Sequence, residues 1–126
     1  MITLADDLRT ARLQVLADAM SGGTLTLYTE PQPAIGAAIT TQTALVSVAI
    51  PAGLTAVDAS VGLALIATTI LADGDADWGR ITSAADDFVL DGDCGLLASS
   101  AAFRLKTVGL VAGANLMPIS AAFAEP

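Results

Sequence analysis

The sequence predicts a mainly β protein: an antiparallel β-sandwich, of jelly-roll or immunoglobulin-like type, with one α-helix at its N-terminus. Helical spacing of apolar residues is confined to the segment before Gly22. After Gly23 the apolar residues come in short, β-rich runs separated by Gly, Pro and Asp turns, which is typical of a sandwich. The chain has 126 residues, the size of one domain, and aromatic residues make up only 4%, so small aliphatic side chains must fill the core.

The N-terminal helix is predicted from its capping residues and its period. Thr3 is expected to cap the amide of Asp6 in a capping box. Asp6 and Asp7 suit the first turn, where the helix dipole favours negative charge. The segment 21–23, Ser-Gly-Gly, is expected to end the helix near Met20. Apolar residues at helical spacing form one face, and they are Leu4, Leu8, Ala11 and Val15.

Short strands at regular spacing are predicted for the rest of the chain. They are expected at residues 25–29, 44–50, 61–71, 78–82, 88–90, 102–107 and 116–123. We expect turns at 72–77 and 91–93 and the longest loop at 34–43. Pro118 cannot donate to a ladder, so part of the last strand is expected at a sheet edge. A short helix over residues 120–124 remains the alternative there.

These elements divide the chain into an N-terminal helix, residues 1–22, and a β-sandwich, residues 23–126, within a single domain overall. The net charge is −8, from thirteen acidic and five basic side chains. The basic side chains form no cluster that could neutralise a row of phosphates, so no direct nucleic-acid binding is expected. The longest apolar run, 61–71, is about half of a transmembrane span, and no membrane insertion is expected.

Catalytic chemistry has little support in the composition. The chain contains no His, which removes the commonest general base and the usual activator of Ser and Cys nucleophiles. Cys94 is the only cysteine, so no internal disulfide forms. It lies between Asp93 and Gly95 in an acidic segment, which is expected to raise the pKa of the thiol. We therefore expect no enzyme and no cofactor.

An acidic segment offers the sharpest local pattern. Asp73, Asp75 and Asp77 alternate as the ligands of a calcium loop do. The EF-hand template then fails, because Trp78 stands where Gly is needed and Ala84 where a bidentate Glu is needed. A solvated turn is the preferred interpretation and a calcium site the alternative. Residues 73–93 hold seven Asp and one Arg, which suits either docking of a basic partner or a solubilising rim.

Apolar content exceeds what one small domain needs to fill its core. The chain is 54% hydrophobic with a mean hydropathy of +0.69. We interpret the surplus as a surface that meets other subunits, so a homo-oligomer is expected. The predicted interface residues are Leu4, Leu8, Arg9 and Arg12 of the helix and Pro118 near a sheet edge. The two arginines have an alternative, which is pairing with Asp6 or Asp7 inside the helix.

Four segments together resemble a family of small structural proteins encoded by tailed bacteriophages and prophages. They are LRTARL at 8–13, LTLYTEPQPA at 25–34, WGRI at 78–81 and LDGDCG at 90–95. Family members carry an "LRxARL"-like helix followed by an "LxIYxGxxP"-like strand and turn. This chain has Gly79 where an aromatic residue usually precedes the Arg, and Glu30 where Gly is common. The resemblance implies a virion-associated structural protein and carries no catalytic residues.

The function expected from these observations is a capsid decoration or cement protein. It would bind the head shell as a symmetric oligomer, with the major capsid protein or other virion proteins as partners. It would be made in the host cytoplasm and reside in the virion. A tail-tip, neck or fibre-adaptor protein is the first alternative, and a calcium-dependent carbohydrate-binding module resting on the acidic segment is the second.

Overall fold

A computed structural model describes residues 5–57, 60–67, 69–113 and 117–124. The molecule is mainly β with one N-terminal helix, as the sequence predicted. Its elements in chain order are α1 (Asp6–Met20), β1 (Thr24–Tyr28), β2 (Ala44–Ala49), β3 (Ser60–Ala67), β4 (Gly74–Asp75), β5 (Trp78–Thr82), β6 (Phe88–Leu96), β7 (Phe103–Leu105), β8 (Gly109–Leu110) and β9 (Met117–Ala124).

Seven strands form one curled sheet in the order β2-β1-β5-β6-β7-β9-β3, and β4 and β8 form a second, two-stranded sheet. Neighbouring strands run antiparallel except β6 and β7, which run parallel. The chain can return so tightly between those two strands because Gly95 has no side chain. A Cβ at this position would lie 2.5 Å from Ser99 Oγ in the connecting turn.

β6 joins the two halves of the curled sheet. Its pairing with β5 extends to Asp93, and from Cys94 onward it pairs with β7. The edge strands β2 and β3 then come into contact, so the sheet wraps around one core. The turn predicted at 91–93 is therefore wrong, because these residues lie inside β6. The polar pattern misled the prediction, because Asp91 and Asp93 both find hydrogen-bond donors within the fold.

β9 is an interior strand, between β7 and β3. The prediction that Pro118 marks a sheet edge is wrong. Within β9 only residues 119–121 pair with β7. Pro118 lies beyond the end of β7, so the amide that proline lacks is not needed for pairing with β7. The helical alternative for residues 120–124 is also wrong. Alternate side chains there turn inward, with Ile119 and Ala121 buried, which is a strand period.

The helix α1 begins at Asp6, with Ala5 at the N-cap position and no side-chain cap. The predicted cap, Thr3, lies outside the described residues, and the helix begins later than that prediction. The predicted end at Met20 is confirmed. Leu13, Ala17 and Met20 are buried in the core, whereas Leu8 and Val15 on the opposite side are exposed.

The core lies inside the curl of the sheet and is built from aliphatic side chains around Phe103. β1 contributes Leu25 and Leu27, and their neighbour in β5 is Ile81. No helix within the described ranges is both long enough and apolar enough to span a bilayer.

Candidate interaction surface

The outer side of α1 is the first candidate surface. We call it the helix outer face and define it by Leu8, Ala11, Arg12 and Val15, all exposed. The exposed fraction is 56% for Leu8 and 70% for Val15. Large apolar side chains on a helix normally face the core, and here that role belongs to the opposite side of α1. Leu4, predicted on the same face, lies outside the described residues.

The two predicted interface arginines differ in their surroundings. Arg9 is half-buried and forms an ion pair with Asp6 one turn earlier, so it takes the intrahelical alternative. Arg12 is exposed and also has an interaction within its own chain.

Pro118, the remaining predicted interface residue, lies on the outer face of the sheet far along the chain from α1. It is exposed and stands directly opposite Ile66 of β3, which is also exposed. The two side chains form a small apolar pair on β3 and β9. The sequence interpretation missed Ile66, because the run 61–71 resembles a strand buried on both faces.

An open cleft of about 580 Å³ lies where β1, β4 and β6 approach one another. Its lining combines carboxylates with small and apolar groups, and it consists of Thr29, Glu30, Asp75, Ala76, Asp77, Cys94, Gly95, Leu96 and Val108. The lining contains neither Lys nor Arg, so the cleft has a negative electrostatic potential.

Cys94 lines this cleft and carries its only thiol. Burial, together with the negative charges of Asp93 and Asp77, raises the pKa of the thiol to about 12. A thiol with such a pKa stays protonated at neutral pH, and the thiolate is the reactive species. The arrangement therefore opposes nucleophilic chemistry at Cys94, as the acidic flanking residues indicated.

The three aspartates of the calcium pattern do not share a site. Asp73 accepts a hydrogen bond from the amide of Ala112 at 2.7 Å. Asp75 and Asp77 line the cleft, while Asp73 is not among the residues that line it. Across residues 5–57, 60–67, 69–113 and 117–124, no three acidic, cysteine or histidine side chains form a group that could hold a metal ion.

A polar and aromatic cluster on the outer face of β5 was not anticipated. Arg80 donates to both carboxylate oxygens of Asp91, at 2.7 and 2.9 Å. Its guanidinium also lies 5.3 Å from the ring centroids of both Trp78 and Phe88. The hydrogen bond to Asp91, opposed by partial burial, raises the pKa of Arg80. Spacing along the chain does not reveal this pair, since it is formed across two strands.

The same cluster holds the loop between β1 and β2 against the sheet. Trp78 is fully buried, stacks on Tyr28 with 4.6 Å between ring centroids, and donates its indole proton to Thr29 O at 2.9 Å. Asp91 also accepts the amide of Gly36 at 3.3 Å. These contacts hold the loop between β1 and β2 against the sheet.

Several other large apolar side chains outside α1 are exposed, and they are Ile35, Val57, Leu71, Phe88, Leu96, Leu97 and Val111. Most are single residues in loops or at strand ends, and single exposed apolar residues are common on folded proteins. The helix outer face differs because its apolar residues share one rigid element.

Comparison with known proteins gives no assignment: the chain matches no protein-family model, no curated protein and no solved structure.

Proposed function

We propose that this chain is a non-enzymatic structural protein of a bacteriophage virion, a decoration or cement protein that binds the head shell as a symmetric homo-oligomer. One observation carries the oligomeric part of the proposal: α1 is apolar on two opposite sides. Leu13 and Ala17 bury one side against the β domain, while Leu8 and Val15 expose the other. Attachment to the domain needs only one apolar side. The second side is explained by a contact with another polypeptide.

The chemistry of the cleft also favours a binding role over catalysis. Its one thiol is protonated, and its carboxylates have no His to work with, because the chain contains none. The virion assignment itself comes from the resemblance of the helix, the Tyr28 strand and the Trp78 strand to small phage structural proteins. A mainly β domain with an N-terminal helix suits such a protein.

The test is to locate the protein in purified virions of the phage that encodes it. We expect an immunoblot to detect it in particles and cryo-electron microscopy to show it as symmetric density on the head. Density at the tail tip, neck or fibre base would overturn the decoration assignment in favour of the tail alternative. Absence from purified virions would overturn the virion assignment altogether.

A further inference from the structure

We propose that the α1 helices of neighbouring copies pack side by side and in parallel around a cyclic symmetry axis, through the helix outer face. The inference rests on the proposed oligomeric function and adds the residues and the orientation of the contact. A second copy of this chain is the partner because the surface is complementary to itself, as the following spacing and charges indicate.

The spacing of apolar residues along α1 defines the line of contact between helices, which we call the seam. Leu8 and Val15 are separated by one heptad, and Ala11 lies between them, so the three residues occupy a, d and a positions. All three are exposed and lie on one rigid helix. Ala11 in the middle is small enough to let a neighbouring helix approach closely, while Leu8 and Val15 supply apolar area on either side.

The charges that flank the seam select the orientation. Asp7 lies on one side of the Leu8–Val15 line and Arg12 on the other, at g and e positions five residues apart. In parallel helices the g position of one copy faces the following e position of its neighbour, so Asp7 meets Arg12. In antiparallel helices that set Leu8 opposite Val15, Asp7 lies near Gln14 of the neighbour and Arg12 near its own equivalent, so no Asp7–Arg12 pair forms. Electrostatic complementarity therefore favours the parallel arrangement.

Two neighbouring contacts shape this interface. Arg12 already interacts within its own chain, but a guanidinium carries five N–H donors and can serve a second carboxylate. Asp18 occupies the next d position and accepts a hydrogen bond from Gln14 at 2.8 Å. A charged residue there ends the apolar seam, which covers one heptad and the first position of the next. The helix contact therefore fixes the relative orientation of neighbouring copies. Because the seam is shorter than that of a stable coiled coil, other surfaces of the chain must also contribute to the interface.

The first experiment measures the mass of the full chain in solution by light scattering at micromolar concentration. We expect wild type to be an oligomer and the double variant Leu8→Gln/Val15→Gln to dissociate at least tenfold more readily. Val111→Gln is the matched control, because Val111 is exposed to a similar degree, 62%, but lies outside the helix. Thermal unfolding of each variant separates loss of assembly from loss of fold.

The second experiment tests orientation by charge reversal. Asp7→Arg and Arg12→Asp should each weaken self-association, and the double reversal should restore it, because only a parallel pairing brings the two positions together. In a Cys94→Ala background, Val15→Cys should crosslink to its own equivalent in a neighbouring copy. A double reversal no better than the single ones, or crosslinking only between Leu8→Cys and Val15→Cys chains, would overturn the parallel arrangement.

The outcomes separate this inference from the function on which it rests. A wild-type oligomer that is unaffected by Leu8→Gln/Val15→Gln overturns the helix contact alone. A wild-type monomer at every concentration overturns the helix contact and the oligomeric part of the proposed function. Absence of the protein from virions overturns the virion assignment.

Discussion

Arg80 shows how one side chain organises a whole layer of this molecule. Its side chain is 11% exposed and that of its partner Asp91 is 1% exposed, so both charges are largely out of water. The guanidinium contacts three groups: it donates hydrogen bonds to the Asp91 carboxylate and lies over the rings of Trp78 and Phe88. Because Asp91 also accepts the amide of Gly36, the loop between β1 and β2 depends on the same pair.

Arg80→Met is expected to destabilise the fold by about 3 to 5 kcal/mol, because it leaves a buried carboxylate without its counter-charge. Chemical denaturation monitored by the fluorescence of Trp78 measures the change. Lys106→Met is the control, since Lys106 is exposed and should change stability by less than about 0.5 kcal/mol. A loss at Arg80 as small as that of the control would show that the pair contributes little.

The surroundings of Cys94 predict how the free energy of unfolding depends on pH. Burial raises the pKa of the thiol to about 12 in the folded chain, above its ordinary value of 9.0. The folded state therefore holds the proton more tightly than the unfolded state, and the stabilisation is complete below pH 9 and lost as pH rises toward 12.

The measurement compares denaturation of wild type with Cys94→Ser, in which every other titrating group is shared. The stability of wild type relative to the variant should be constant below pH 9 and should fall above it, because only wild type must release the thiol proton. A difference that stays constant up to pH 11 would mean that the Cys94 pKa is near its ordinary value.

At the scale of elements, the pair β5 and β6 depends on two glycines that face the core. A Cβ on Gly79 would lie 2.9 Å from Leu27 Cδ2 and 3.1 Å from Phe103 Cδ2. Gly92, its neighbour across the strands, would place a Cβ 3.0 Å from the same ring. Phe103 thus fills the space that side chains at these positions would take.

Gly79→Ala should destabilise the fold by about 1 to 3 kcal/mol through overpacking of the core. Gly62→Ala is the matched control in β3: a Cβ there meets nothing closer than 3.9 Å, so stability should be unchanged or slightly higher. Thermal or chemical denaturation gives both values. Equal behaviour of the two variants would show that Leu27 and Phe103 can move aside without cost.

The helix α1 shows the limit of periodicity at the same scale. Spacing predicted one apolar face through Leu8 and Val15, and the structure buries a different one through Leu13 and Ala17. The overall amphipathic signal is weak because apolar residues occupy both sides. Which side meets the sheet is decided by the connection at Ser21, whose hydroxyl accepts the amide of Leu54, and by Gln14, which bonds to the same segment.

At the scale of the whole molecule, the aspartates of the segment from Asp73 to Asp93 lie in separate places and do not form one acidic site. Asp73 holds a turn, Asp75 and Asp77 line a cleft, and Asp91 is paired with Arg80. We expect calcium at about 1 mM to leave the melting temperature unchanged, because a ligand that binds only the folded state must raise it. A calcium-dependent rise that is lost in Asp75→Asn would restore the carbohydrate-binding alternative.

Local chemistry predicted most of the elements. The Gly22-Gly23 break ends the helix where expected, the alternation in 25–29 marks β1, and the Trp78–Thr82 strand has the predicted bounds. One of the errors, the turn at 91–93, arises because polar residues there are hydrogen-bonded by partners far along the chain. The segment 91–93 resembles a turn because its carboxylates suit one, and only the partners from β5 and the 97–102 connection keep it extended.

The sequence by itself determined the class of the molecule: one helix, short strands built from small aliphatic residues, no His, and an unusually apolar composition. These follow from residue types and spacing, which act over a few neighbouring positions. Only the tertiary structure decided the strand order, the interior place of Pro118, the Arg80–Asp91 pair and which side of α1 remains exposed. Those features depend on contacts between residues far apart in the chain, because packing and desolvation are set by the neighbours that folding brings together.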